Sequence, residues 1–263
     1  MRVALGVEYD GSAFHGWQTQ PDGGTVQDAL QDALAQIAGV PVNVVCAGRT
    51  DAGVHAIAQV VHFDPPVQRP LTAWVRGVNS FLPPAVAVHW AHPVEDGFHA
   101  RFSAYGRRYR YLLINRPQRM GVWHGRAGWY HHPLDVESMQ QAATHLFGGH
   151  DFSAFRAADC QAKSPVKTVR QADVRRFGEM IVFDFEAGAF LHHMVRNLVG
   201  SLVYVGQGKH PPEWIAQLLT AKDRRLAAPT FSAAGLYLAG VNYEAHWGLP
   251  VDTDSFLPGT PSL

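Results

Sequence analysis

Val3, Leu5, Val7 and Tyr9 alternate with small or polar residues, the period of a β-strand that buries one face. Asp10-Gly11-Ser12 ends that strand in a turn. Thr25 then stands as an N-cap with Asp28 three residues on. Val26, Leu30, Ala33, Leu34 and Ile37 follow at helical spacing, and Gly39 stops the helix. Residues 42–46 read as a short strand, 47–55 as a loop and 59–63 as the returning strand. Thr72 is expected to cap a helix carrying Trp74, Val75, Val78 and Leu82, closed by Pro83-Pro84, after which Val86, Val88 and Trp90 alternate as another strand.

The second half has a similar rhythm. A strand with a basic flank is predicted over 107–114. Val136, Met139, Ala143 and Leu146 predict a helix ended by Gly148-Gly149. Residues 171–177 and 180–186 alternate around Gly178-Glu179, a hairpin pattern. Leu191, Met194, Val195, Leu198, Val199 and Leu202 form the apolar stripe of an amphipathic helix. Pro212 opens a further helix through Leu219, and 236–243 reads as a closing strand. Strands followed by helices, with hairpins, imply an α+β sheet covered on one face. The expected division is 1–105, 106–245 and a Pro/Gly-rich tail, 246–263, with no sequence repeat between the halves.

Composition adds bounds. Over 263 residues, 47% hydrophobic and 17% charged describe an ordinary soluble globular chain. No apolar run approaches a bilayer span, and Glu8 arrives too early for a signal-peptide core. Cys46 and Cys160 have no metal-like spacing, so a reduced, cytoplasmic setting and no metal site are expected.

The formal net charge is zero, yet it is unevenly spread. Residues 1–100 hold four basic and nine acidic side chains, and 101–263 hold eighteen and thirteen. Arginine makes up 18 of the 22 basic residues, which favours bidentate phosphate contacts and stacking on bases. From Gly97 to Leu134 there is no acid, while Arg101, Arg107, Arg108, Arg110, Arg116, Arg119 and Arg126 are mixed with seven aromatics from Phe102 to Tyr130. A polyanion such as RNA fits this segment, and so does a solvated strand face.

The most unusual stretch is Ala47-Gly48-Arg49-Thr50-Asp51-Ala52-Gly53-Val54-His55-Ala56, set between two apolar strands. Arg49 and Asp51 could meet only in an irregular loop, where an arginine would hold a carboxylate ionised. Spacing alone equally allows a structural Arg–Asp pair in a polar turn. Gly206-Gln207-Gly208-Lys209 lacks the remaining residues of a phosphate loop and is set aside.

Gly48-Arg49-Thr50-Asp51-Ala52-Gly53-Val54-His55 resembles the catalytic loop of the tRNA pseudouridine synthase A family. Other motifs follow in that family's order: Tyr9-Asp10-Gly11-Ser12-Ala13-Phe14-His15-Gly16-Trp17-Gln18, then Thr25-Val26-Gln27, then Phe98-His99-Ala100-Arg101-Phe102-Ser103-Ala104 before Arg107-Arg108-Tyr109-Arg110-Tyr111. Phe190-Leu191-His192-His193-Met194-Val195-Arg196-Asn197 and Gly235-Leu236-Tyr237-Leu238 complete the set, over residues 2 to 243. The resemblance implies two similar subdomains in a mixed, mainly antiparallel sheet with helices on one face and a central active-site cleft. It implies a homodimer without a cofactor that isomerises uridines 38, 39 and 40 of the tRNA anticodon arm. Asp51 would be the essential aspartate, Arg49 its partner, Tyr109 the wall against the target base, and Arg196 a basic residue reaching the site.

Such an isomerisation breaks an N–C glycosidic bond and makes a C–C bond to the same uracil. An aspartate could add to C1′, remove a 2′ proton or add to C6 of the base, and the sequence leaves all three routes open. The target base must leave its helix, at a few kcal/mol. Arg101, Arg107, Arg108, Arg110 and Arg126 are the expected RNA contacts offsetting that cost. Competing readings are an RNA-binding module without catalysis, and a nucleoside hydrolase using a second acid such as Asp64. His55 is expected to order its loop, Asp10 to serve a turn, and His131-His132 to lie at the surface. His192 and His193 are expected to point to different helix faces, Cys46 to be a buried strand residue, and Cys160 to be exposed.

Overall fold

The computed structural model describes residues 2–250, and these divide into two compact units. The first holds residues up to Arg107 and takes back the chain from Tyr237, and the second runs Arg108–Leu236.

In the first unit, β1 (Arg2–Tyr9) lies between β3 (His55–Phe63) and β4 (Val86–Val94), antiparallel to both. The two-residue β2 (Val45–Cys46) pairs antiparallel with β3, and β10 (Leu236–Tyr243) joins the other side of β3 in parallel. The pleat sorts β1 as its alternation predicts. Val3, Leu5 and Val7 sit opposite Phe63, Val61 and Gln59, and Ala4 and Gly6 opposite His62 and Val60. Helix α1 (Val26–Ala38) starts at the expected capping box of Thr25 and Asp28 and ends at Gly39, whose φ of 76° lies in the left-handed region. It buries Val26, Leu30, Ala33, Leu34 and Ala38. A second core lies on the Ala4 face, where Val60, Val94, Phe98 and Ala100 pack with Trp90, Tyr243 and Trp247.

The second unit has the strand order β5 (Ala104–Asn115), β9 (Met180–Ala187), β8 (Val166–Phe177), β7 (Gly148–Asp151), with β6 (Gly128–Tyr130) parallel to β5. The β8–β9 hairpin turns at Gly178, φ 60°, as the pattern predicts. Ala172 and Val174 face Phe185 and Phe183, while Asp173 faces Asp184. Three helices complete this unit: α2 (Val136–Thr144), α3 (Met194–Gly206) and α4 (Trp214–Ala221). Both units are therefore α+β and mainly antiparallel, the fold class expected. No helix among the described residues is long and apolar enough to cross a membrane.

Several local expectations are corrected. Residues 42–44 are not strand, because the Val44 N–H donates to Gln31 Oε1 at 3.2 Å. Thr72 is no cap: its own backbone is helical, and Ala73–Gly77 after it winds as a π-helix. The Gly148-Gly149 pair opens β7 rather than only closing α2. Helix α3 begins at Met194, later than its apolar stripe suggests, since His193 is left-handed at φ 60°. Most of the tail, 251–263, lies outside the described residues.

Candidate active site

The loop between β2 and β3 carries Asp51, and neutral groups fix it from several sides. Ala47 N–H donates to Val60 O at 2.8 Å. The fully buried Gln59 reaches out of β3 to Gly48, donating to its carbonyl at 2.6 Å and accepting from its N–H at 3.3 Å. Thr50 shares a hydrogen bond with the Tyr9 hydroxyl, 2.8 Å, and accepts from Trp17 N–H at 3.0 Å through its carbonyl. Val54 N–H closes the turn on Asp51 O at 3.1 Å, with Gly53 at φ 77°. The Asp51 side chain is half-buried.

The Tyr9–Gln18 motif wraps this loop at two close approaches. A Cβ on Gly11 would collide with the Val54 carbonyl. One on Gly16, whose φ is 89°, would stand 2.9 Å from Thr50 O and 3.0 Å from Ala52 N. Only glycine allows both the positive φ and the contact. His55 orders the loop as expected: its Nδ1 lies 3.0 Å from Gly11 N–H and 3.2 Å from Asp10, and its ring stacks on Tyr237 at 4.6 Å. Asp10 is a turn residue, accepting from Ser12 N–H at 3.0 Å.

Arg49 is exposed and forms no ion pair among the described residues. Its charge, with those of Arg101 and Arg107, opposes the burial that pushes the Cys46 thiol up to about 11. Arg107 is half-buried and donates to the carbonyls of Ala47 (2.9 Å), Arg101 (2.6 Å) and Ala104 (3.1 Å). Arg101 is exposed.

In the second unit, Tyr109 is half-buried on β5 with its ring edge-to-face on Phe190, 5.1 Å between centroids. Arg196, in the first turn of α3, donates from Nε to Phe231 O at 2.9 Å. The next residue, Asn197, is fully buried and anchors that turn. Its Nδ2 donates to Phe155 O at 2.8 Å, and its Oδ1 accepts from Arg224 at 3.0 Å and Thr230 at 2.7 Å. The rings of His192 and His193 lie side by side, 4.0 Å apart, because both precede the helix; they do not point to different faces. Cys160 is buried rather than exposed. Burial alone would raise its thiol, but N–H groups of Ala162 and His192 and the Arg156 guanidinium outweigh that and lower it.

Arg110 grips Asp184 at 2.6 and 3.2 Å, and Arg175 holds the same carboxylate at 2.5 Å. Arg108 is half-buried with a buried Nε that has no acceptor among the described residues. Arg126, His131 and His132 are exposed. Gln59, Asn197 and the bracing role of Arg107 were not anticipated from sequence. Gln59 had left a trace, as a polar residue inside the apolar run Ala56-Ile57-Ala58-Gln59-Val60-Val61.

Comparison with known proteins decides the family. The sequence model of a family described as tRNA pseudouridine synthase matches residues 6–103 and 142–244. The chain belongs to the tRNA pseudouridine synthase family. It is 70% identical over 259 residues to tRNA pseudouridine synthase A of Dechloromonas aromatica (strain RCB), covering 98% of this chain and 99% of that protein. Proteins of the same name from Methylobacillus flagellatus and Aromatoleum aromaticum are 61% and 62% identical, over 95% of this chain and 96% and 95% of their own lengths. The first stretch matched to the tRNA pseudouridine synthase family contains Arg49, Asp51 and Arg101, and the second contains Arg196. Tyr109, Arg107, Arg108, Arg110 and Arg126 fall in the interval between them.

Proposed function

We propose that this protein isomerises uridine to pseudouridine in the anticodon arm of tRNA, at positions 38, 39 and 40, acting as a cytoplasmic homodimer without a cofactor. The observation that carries the reading is a half-buried carboxylate, Asp51, on a loop whose backbone is fixed on both sides of it. A group that must meet one atom of an extruded nucleotide needs such a preset position. Family membership and the named relatives supply the substrate class.

In this reading the Asp51 carboxylate engages the flipped uridine, the N1–C1′ bond breaks, and the uracil turns within the site. C5 then bonds to C1′, the C5 proton is released to solvent, and N1 takes up a proton in its place. Tyr109 is the stacking wall that retains the free base, and its ring is already held edge-on by Phe190. Arg196 and Arg49 bind the nucleotide's phosphate and carbonyl oxygens. Arg101 and Arg126, both exposed, meet tRNA phosphates, together with Arg108. Arg107 and Arg110 serve RNA binding indirectly, by holding the loops and strands that carry the others.

The test is tritium release from tRNA labelled at uracil C5. Asp51→Asn is expected to lower release about a thousandfold or more while the protein still folds and binds tRNA. Full release by that variant, or by Asp51→Ala, would overturn the reading.

A further inference from the structure

The turn from Phe98 to Ser103 is built with more restraint than a connecting loop requires. Phe98 and Ala100 are fully buried, yet Phe102 stands 75% exposed. Ala100 is held at both ends of its peptide unit, its N–H on His62 Nδ1 at 3.1 Å and its carbonyl on the Tyr243 hydroxyl at 2.6 Å. Arg2 donates to Phe98 O at 2.6 Å, and Arg107 to Arg101 O at 2.6 Å. His99 Nδ1 accepts from the N–H groups of both Arg101 and Phe102 at 3.2 Å, which fixes that nitrogen as unprotonated. The same imidazole lies against one face of the Phe102 ring, 4.3 Å between centroids. The Arg101 guanidinium sits 5.6 Å from the ring centroid, and Tyr105 follows as another exposed aromatic.

Single exposed apolar side chains are common and need no explanation. This one differs in its setting. Its backbone is immobilised, and its ring is backed by an uncharged imidazole while most of its surface stays exposed. Its charged neighbour is an arginine, in a stretch without any acid. Bases stack on aromatic faces of this kind, and a platform ordered in advance loses little freedom on binding.

We propose that Phe102 is a substrate-contacting residue, a stacking platform for an unpaired or extruded nucleotide of the tRNA, with Arg101 on the adjoining phosphate. This rests on the tRNA reading above and extends it to Phe102, a residue of the Phe98–Ala104 motif that has no role in that reading. The surface is polar, positively charged and aromatic, which suits a nucleotide better than a second protein chain.

The experiment is a tRNA binding series at two or more salt concentrations. Phe102→Ala should raise Kd about tenfold without changing the salt slope, because no charge is lost. Phe102→Trp should restore affinity to within about twofold, and Phe102→Leu should resemble the alanine variant. Arg101→Ala should reduce the salt slope by about one. Native affinity in the alanine variant overturns the proposal. So does full rescue by leucine, which would mean simple apolar packing. A change of sedimentation mass in the alanine variant assigns the face to a second copy of the chain and overturns it as well. Tritium release by the native protein is read in the same preparations. Tight tRNA binding without release would refute isomerisation while leaving the stacking series interpretable on its own.

Discussion

The loop that carries Asp51 and the strands of the second unit are held in place by different kinds of contact. Around Asp51, in the first unit, the restraints are chiefly carbonyls, N–H groups, an amide side chain and two hydroxyls, with the Arg107 guanidinium on the Ala47 carbonyl and two glycines letting backbones touch. Around the strands of the second unit the restraints include buried charge, Arg110 and Arg175 closing on Asp184. Charge pairs strengthen a scaffold only where both partners stay together. The contrast teaches that the backbone beside Asp51 is shaped by close fit, and the strand platform of the second unit by electrostatics.

The largest break in this comparison should come from Gly11→Ala. The new methyl must displace the carbonyl of Val54, the residue whose N–H closes the turn that starts at Asp51. A shift near 1 Å in a reacting group costs on the order of a hundredfold in rate. Single-turnover tritium release, taken well below the unfolding temperature, should fall by about that factor. A native rate would mean that the close fit is not what positions the loop.

Asp184→Asn strikes the other arrangement. It leaves two guanidiniums facing a neutral amide in a nearly buried place, and should cost about 3 kcal/mol in urea unfolding. Release activity at low denaturant should hold within about threefold. Should activity drop as steeply as stability, the charge cluster would belong to the chemistry and the contrast between the units would dissolve.

The smallest effect sharpens the first unit's reliance on neutral groups. Burial first, then the nearby Arg2 and His99, hold the His62 imidazole down at about 4, below its ordinary 6.5. The unfolded chain therefore takes up a proton before the folded one. The stability from keeping His62 neutral is complete above about pH 6.5 and is lost as pH falls toward 4. By pH 5 it should have declined by about 2 kcal/mol. His62→Gln should flatten most of that loss when thermal midpoints are compared between pH 7.5 and 5, and an unchanged slope would remove His62 from the account.

Much of this was legible in the chain itself. The alternation in Val3–Tyr9, the Thr25/Asp28 box with its Gly39 stop, and the Gly178 hairpin are local signals, and each appears in the structure where its residues put it. The family was legible in the ordered motifs. What escaped were features decided by distant partners. Gln59 matters because Gly48 lies across from it, and Arg107 because carbonyls from two separate segments, at Ala47 and Arg101, converge on it. Spacing in sequence carries no record of either. Helix α3 was misplaced at its start because the apolar stripe continues through Leu191, while the left-handed His193 interrupts the helix without breaking the hydrophobic pattern. The return of β10 to β3 joins residues far apart in the chain, which periodicity cannot reveal.

The way Arg107 spends its guanidinium has a consequence for how this protein can vary. A planar fork can serve several carbonyls at once, whereas a lysine ammonium at the end of a flexible stem is a compact point charge. An arginine-to-lysine exchange there would preserve the charge and still slacken two segments together, one leading into Asp51 and one presenting Phe102. The two segments thus share a single keystone. A change tolerated by either one alone can become harmful once the other has drifted, so their histories are bound together at position 107.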